Sequence, residues 1–231
     1  MINFEFRRRP IVEQPIEDLH AFLIQTAGVL PADWALSIDE VKAPDIGRNL
    51  VAVVELPILN NAVTQASIQY QLRKDTYLRD EALYDDLLLI QVNARDIDVS
   101  AICHQVFVPF LDWFSPYRAR VTLNPALNRQ DWTSICALSR ESGLDVNGRD
   151  SVFRIYPWFF IDRELCLRSF QREPEELVAT EVESGLRIEV HSGGLLFSMN
   201  KLLCFDEETL NSIDLRAKQL IGPPIVAIET R

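Results

Sequence analysis

Nucleophilic, metal-assisted and acid–base chemistry all draw on histidine, cysteine and paired carboxylates. Only three histidines occur, at His20, His104 and His191. None lies in a G-x-S-x-G elbow, the turn that presents a serine nucleophile. Cys103 and His104 are neighbours, but successive side chains on a helix diverge by about 100°, so they cannot pair directly. The cysteines Cys103, Cys136, Cys166 and Cys204 are widely spaced among apolar residues, with no C-x-x-C. That pattern fits reduced, buried thiols rather than a metal site or a disulfide framework. No H-x-x-x-H or H-E-x-x-H occurs, so no bound metal is expected. The eight glycines form no phosphate cradle, so no nucleotide cofactor is expected either.

Carboxylate pairs are numerous: Asp39-Glu40, Asp80-Glu81, Asp85-Asp86, Glu175-Glu176 and Glu207-Glu208. Adjacency along the chain does not place two acids across a cleft, as glycoside hydrolysis requires. Glu175-Glu176 and Glu207-Glu208 read as first-turn residues of helices, where the dipole favours negative charge. The densest acidic stretch is 73–86 (RKDTYLRDEALYDD), with Tyr77 and Tyr84 interleaved among Asp80, Glu81, Asp85 and Asp86. Tyrosine and arginine are common interface anchors, and acids steer a basic partner. These residues, with Trp158 of the run Tyr156-Pro157-Trp158-Phe159-Phe160, are the expected partner-binding set.

The elements that must carry these residues follow from periodicity. Ile2–Phe6, Trp34–Ile38, Leu50–Leu56, Ala66–Leu72 and Leu87–Val92 read as strands. Ile16, Leu19, Phe22 and Leu23 recur at helical spacing, with Gly28 behind them. A longer helix carries Val99, Ile102, Cys103, Val106, Phe107, Phe110, Leu111 and Phe114, capped by Asp98 or Ser100 and kinked or split at Pro109. Arg118–Leu123 returns as a strand, and Asn124-Pro125 reads as a join.

Beyond the join, a helix over 129–142, a strand over 152–156 and a short helix over 162–170 are expected. Strands Leu186–Val190 and Leu195–Met199 follow, joined by His191-Ser192-Gly193-Gly194. A helix opened by Asp206 and a strand over 225–228 close the order. The second half then reads β-α-β-β-α-β, the split β-α-β arrangement, and the first half begins and ends alike. The expected fold is therefore α+β: two ferredoxin-like-related lobes, 1–124 and 125–231, with mainly antiparallel sheets packed by helices.

Composition narrows the function. Of 231 residues, 48% are hydrophobic, 25% are charged, and the net charge is −11. That is a globular composition, and its acidity disfavours nucleic acid. The charge is evenly divided: residues 1–120 hold 11 basic and 17 acidic residues, and 121–231 hold 12 and 17. Arg7-Arg8-Arg9 is followed by Pro10 to Pro15 rather than by an apolar run, so no signal peptide is expected. No apolar stretch reaches membrane-spanning length. A soluble, cytoplasmic, non-enzymatic protein is expected.

The run Phe153 to Cys166 (FRIYPWFFIDRELC), Pro174-Glu175-Glu176-Leu177-Val178 and the Gly193-Gly194 hairpin resemble the C-terminal part of bacterial immunity-type proteins. Those proteins are encoded beside polymorphic or type VI-delivered toxins. Val106 to Arg118 is similar in flavour. The resemblance implies an inhibitor that binds one cognate toxin and blocks its site. Two other classes stay open: an enzyme of unrecognised class using Cys103, His104 or a carboxylate pair in a cleft between the lobes, and a self-associating structural or regulatory module.

Overall fold

A computed structural model describes residues 1–45, 51–74, 81–93, 98–122, 125–181, 185–199 and 206–225. Side chains of 125–130 lie outside that description. The fold is α+β, with nine strands and five α-helices among the described residues. The chain divides into two compact units, Met1–Ala119 and Arg120–Arg231, the division falling within β5 (Arg118–Thr122).

In the first unit, β1 (Ile2–Arg8), β2 (Val51–Glu55), β3 (Val63–Gln71) and β4 (Asp86–Val92) take the order β2-β3-β4-β1. Every neighbouring pair in that run is antiparallel. Alternation is the cause of the register. Ile2, Phe4 and Phe6 on β1 and Leu88, Ile90 and Val92 on β4 are all buried, and they share one face. Against that face lies α2 (Val99–Phe114), with α1 (Ile16–Thr26) beside it. Phe107 and Phe110 meet Phe6 at ring-centroid distances of 5.5 and 6.4 Å.

Helix α2 starts where Asp98 accepts the Ser100 and Ala101 N–H groups. It runs unbroken through Pro109, so the proline neither splits nor ends it. Proline leaves the Gln105 carbonyl without its helical donor; Gln105 is exposed, and water can serve that carbonyl. Ser115, at φ 51°, ends the helix and donates its N–H to the Leu111 carbonyl.

Trp34–Ile38 is not a strand. Trp34 and Ala35 N–H groups turn back onto Pro31 and Ala32, and only Leu36 pairs, with Ile58. The local 3₁₀ turns satisfy the backbone that a ladder would otherwise use.

The second unit holds β6 (Phe159–Ile161), α4 (Arg163–Phe170), β7 (Ala179–Glu181), β8 (Leu186–His191), β9 (Gly194–Met199) and α5 (Glu207–Ile221), with α3 (Pro125–Ser142) ahead of them. Its strand order is β6-β9-β8-β7, again antiparallel. From β1 to α2, and again from β6 to α5, the chain thus runs strand, helix, three-strand meander, helix. In each, the last meander strand pairs with the opening strand: β4 with β1, and β9 with β6. The first meander strand, β2 or β7, is the additional one beyond a split β-α-β core.

Residues 152–156 form no strand, because their polar groups bond to helix side chains instead. Ile155 N–H donates to Asp214 at 2.7 Å, the Phe153 carbonyl accepts from Lys218 at 2.9 Å, and Arg154 forks onto Asp131. Ser192 and Gly193, at φ 47° and 77°, make the two-residue turn between β8 and β9. Asp162 and Asp206 cap α4 and α5 through the Leu165 and Thr209 N–H groups. The strand expected over 225–228 falls mostly outside the described residues.

Candidate partner-binding surface

The expected partner set separates sharply. Tyr77 and Asp80 lie outside the described residues. Glu81 is exposed and Tyr84 is half-buried. Asp85, Asp86 and Trp158 are 1%, 0% and 1% exposed, so none of the three offers a surface to a partner. The physical reason for the acids is their pairing. Asp86 opens β4 and accepts the Gln71 N–H at 2.9 Å and Arg73 Nη1 at 2.8 Å. Asp85 accepts the Tyr117 hydroxyl at 2.6 Å and lies 3.9 Å from Arg7 Nη1. A buried carboxylate needs such partners to stay in place. Trp158 belongs with buried Tyr156, Phe159 and Phe160 in the second unit's core; Phe159 stacks near Phe197 at 5.7 Å.

Around these acids gathers a set of arginines, the run Arg7-Arg8-Arg9 together with Arg73 and Arg118. Arg7 bonds Glu5 at 2.6 Å and donates to the Ala82 carbonyl at 2.8 Å. Arg8 reaches the Phe114 carbonyl and Gln14, and burial pulls its pKa down, with Asp86 opposing. The Arg9 guanidinium lies 4.2 Å over the Tyr117 ring. Arg118 is buried. Burial, then the Asp85 and Asp86 charges, push the Tyr117 and Tyr70 hydroxyls well above the ordinary tyrosine range, so both stay protonated.

This inward turn of the arginines reshapes the surface. In the first unit all five described arginines are buried or half-buried. Eleven described carboxylates of that unit are exposed, from Glu13, Glu17 and Asp18 through Asp112, against two exposed lysines, Lys42 and Lys74. In the second unit the exposed described side chains are near balance, seven acidic to five basic. A charge evenly divided along the chain is therefore unevenly displayed among the described residues.

Part of the acidic surface is shaped. On β2 the core takes Ala52 and Val54, which turns Val53, 62% exposed, and Glu55 to the other face. That face floors a groove of about 830 Å³, walled by residues 40–45 and by Pro57 and Ile58. Ser37 N–H to the Pro57 carbonyl (2.8 Å) and Leu59 N–H to the Ala35 carbonyl (2.9 Å) tie the 32–40 stretch to the end of β2. Among the described lining residues, Glu40, Asp45 and Glu55 stand beside one cation, Lys42. In the sequence Asp39-Glu40 is only an adjacent pair, and Val51 to Val54 is apolar throughout, so Glu55 alone signals an outward face on this strand.

Among the described residues, no three histidine, cysteine or acidic side chains stand close enough to hold a metal, and no helix is long and apolar enough to cross a membrane. Cys103, Cys136 and Cys166 are free thiols. The chain matches no protein-family model and no curated protein sequence.

Proposed function

We propose that this protein is a binding inhibitor: an immunity-type protein that meets a basic surface on a cognate bacterial toxin and covers its working site. The observation that carries the reading is the charge segregation among the described residues of the first unit, where all five arginines are buried or half-buried and eleven carboxylates are exposed. Such a surface raises the encounter rate with a cationic partner and repels anionic ones. If the toxin is a nuclease, the exposed carboxylates stand where substrate phosphates would. The resemblance of Phe153–Cys166 to immunity-type proteins supports the class; its buried aromatics contribute to the fold rather than the contact.

The test is reconstitution with the partner recovered by affinity purification from the native cell. Expression of that partner alone should arrest growth, and co-expression of this chain should restore it. Affinity of the purified pair should fall as salt is raised from about 50 to about 300 mM, because exposed charges are screened over that range. A partner that is harmless by itself, or an affinity indifferent to salt, overturns the reading.

A further inference from the structure

The groove on the outer face of β2 and β3 has a lining that selects one kind of occupant. The geometry points to an extended segment of a partner protein that carries an apolar residue with a lysine or arginine two positions away from it. This inference rests on the protein-binding reading and names where, and by what chemistry, the partner is held.

Three features argue for it. The floor residues Val53 and Glu55 are two apart on a strand, so they lie about 6.5–7 Å apart on one face. An extended peptide presents its own alternate side chains at the same spacing, so an apolar residue and a basic one, two apart, match them in register. The walls supply both halves of a lysine or arginine site. Val53 and Pro57 offer apolar surface for the aliphatic stem, and Glu40, Asp45 and Glu55 offer acceptors for the head. Finally, among the described lining residues the acids Glu40, Asp45 and Glu55 outnumber the cation Lys42, in a unit whose other described cations are mostly turned inward. An acidic peptide gains none of the head-group contacts and meets like charge, and a neutral one gains only the apolar contact.

The probe is a capped peptide, Thr-Lys-Thr-Val-Thr-Lys-Thr, titrated into the full chain and followed by amide chemical shifts. A scrambled peptide of the same composition and one with glutamate in place of lysine serve as controls. Binding should be saturable, with shifts at Val53, Glu55 and Gln65, and weaker for both controls. The combined substitutions Glu40→Gln, Asp45→Asn and Glu55→Gln, all at exposed positions, should weaken binding by at least about tenfold. Lys42→Glu should strengthen it. Shifts outside the groove, or affinity unchanged in the triple variant, overturn the groove assignment. The same triple variant is then measured against the purified partner. A complex that forms with undiminished affinity overturns the groove while leaving the inhibitor reading in place. Absence of any toxic basic partner overturns that reading, whatever the peptide does.

Discussion

Arg73 and Asp86 are paired side by side at the point where β3 ends and β4 begins. Arg73 donates through both Nη atoms to the two carboxylate oxygens, and Asp86 also takes the Gln71 N–H. The pair closes the base of the 73–86 excursion and leaves Asp86 fully buried. Its role is to hold two strands in register.

Removing one partner from a buried pair strands the other charge. Asp86→Asn should therefore destabilise the protein by about 3–5 kcal/mol, read as a lower urea midpoint. The double change Arg73→Met with Asp86→Leu should recover much of that loss. Partner affinity per folded molecule should be unaffected, and a folded Asp86→Asn variant with weakened binding would return Asp86 to the contact surface.

His20 gives a pH prediction. It is buried on α1, with Nδ1 2.9 Å from the Tyr70 hydroxyl. Burial lowers its pKa from the ordinary 6.5, and a hydrogen bond with the Lys42 backbone pulls weakly the other way. Above 6.5 folded and unfolded forms are both neutral at this site. Below it the unfolded chain binds the proton first, so stability falls as pH drops from about 7 to about 5.5. His20→Gln keeps an acceptor for Tyr70 and removes the titration. Urea midpoints should then drop less on acidification in the variant than in the parent, and equal drops would exclude His20 as the source.

The β8–β9 turn invites two opposite changes. Ser192 holds a positive φ that asparagine adopts more readily, and Gly193 follows it. Ser192→Asn should raise stability by about 0.5 kcal/mol. At Gly194 a Cβ would press onto the Ile161 carbonyl and the Phe160 ring. Gly194→Ala should cost about 1–3 kcal/mol. Thermal melts of both variants check the signs, and a neutral Gly194→Ala would mean that β6 and β9 pack more loosely than described.

The thiols should differ in reactivity. Burial pushes Cys103 up to about 12, with Asp98 adding to it, and burial pushes Cys166 up to about 12 as well, helped by Glu173. Cys136 on α3 is half-buried. Iodoacetamide at about pH 8 should modify Cys136 well before the other two, because the thiolate is the reacting form. Peptide mapping by mass spectrometry reads the order, and early loss of Cys103 would contradict its burial.

Much of the fold is legible from periodicity. The alternation in Ile2–Phe6 and Leu186–Val190, the stripe on α2, and Asp98, Asp162 and Asp206 as caps all lie in local sequence. Residues 152–156 mislead because their apolar spacing suits a strand, while their backbone bonds are taken by Asp214 and Lys218, some sixty residues away. Trp34–Ile38 misleads in the same way, through 3₁₀ turns that alternation does not reveal. The site was harder to read. Asp85-Asp86 has the composition of a solvated loop, and only the β1–β4 register, with Arg8 opposite Asp86, turns it inward. Which arginines face the core is likewise a tertiary fact, so composition gives the total charge and not the charge displayed.

The shared strand order of the two units poses a hazard during synthesis. Two meanders of the same order, each ending on a strand that seeks an opening strand, invite β9 to dock where β4 belongs, or the equivalent strand of a second molecule to exchange in. The divergent pairing faces counter this. β4 brings Asp86 to Arg73, whereas β9 brings Gly194 under Ile161, and neither strand satisfies the other's neighbours. Dissimilarity between the halves therefore favours the correct pairing: a β9 strand in the place of β4 would leave Arg73 without its carboxylate.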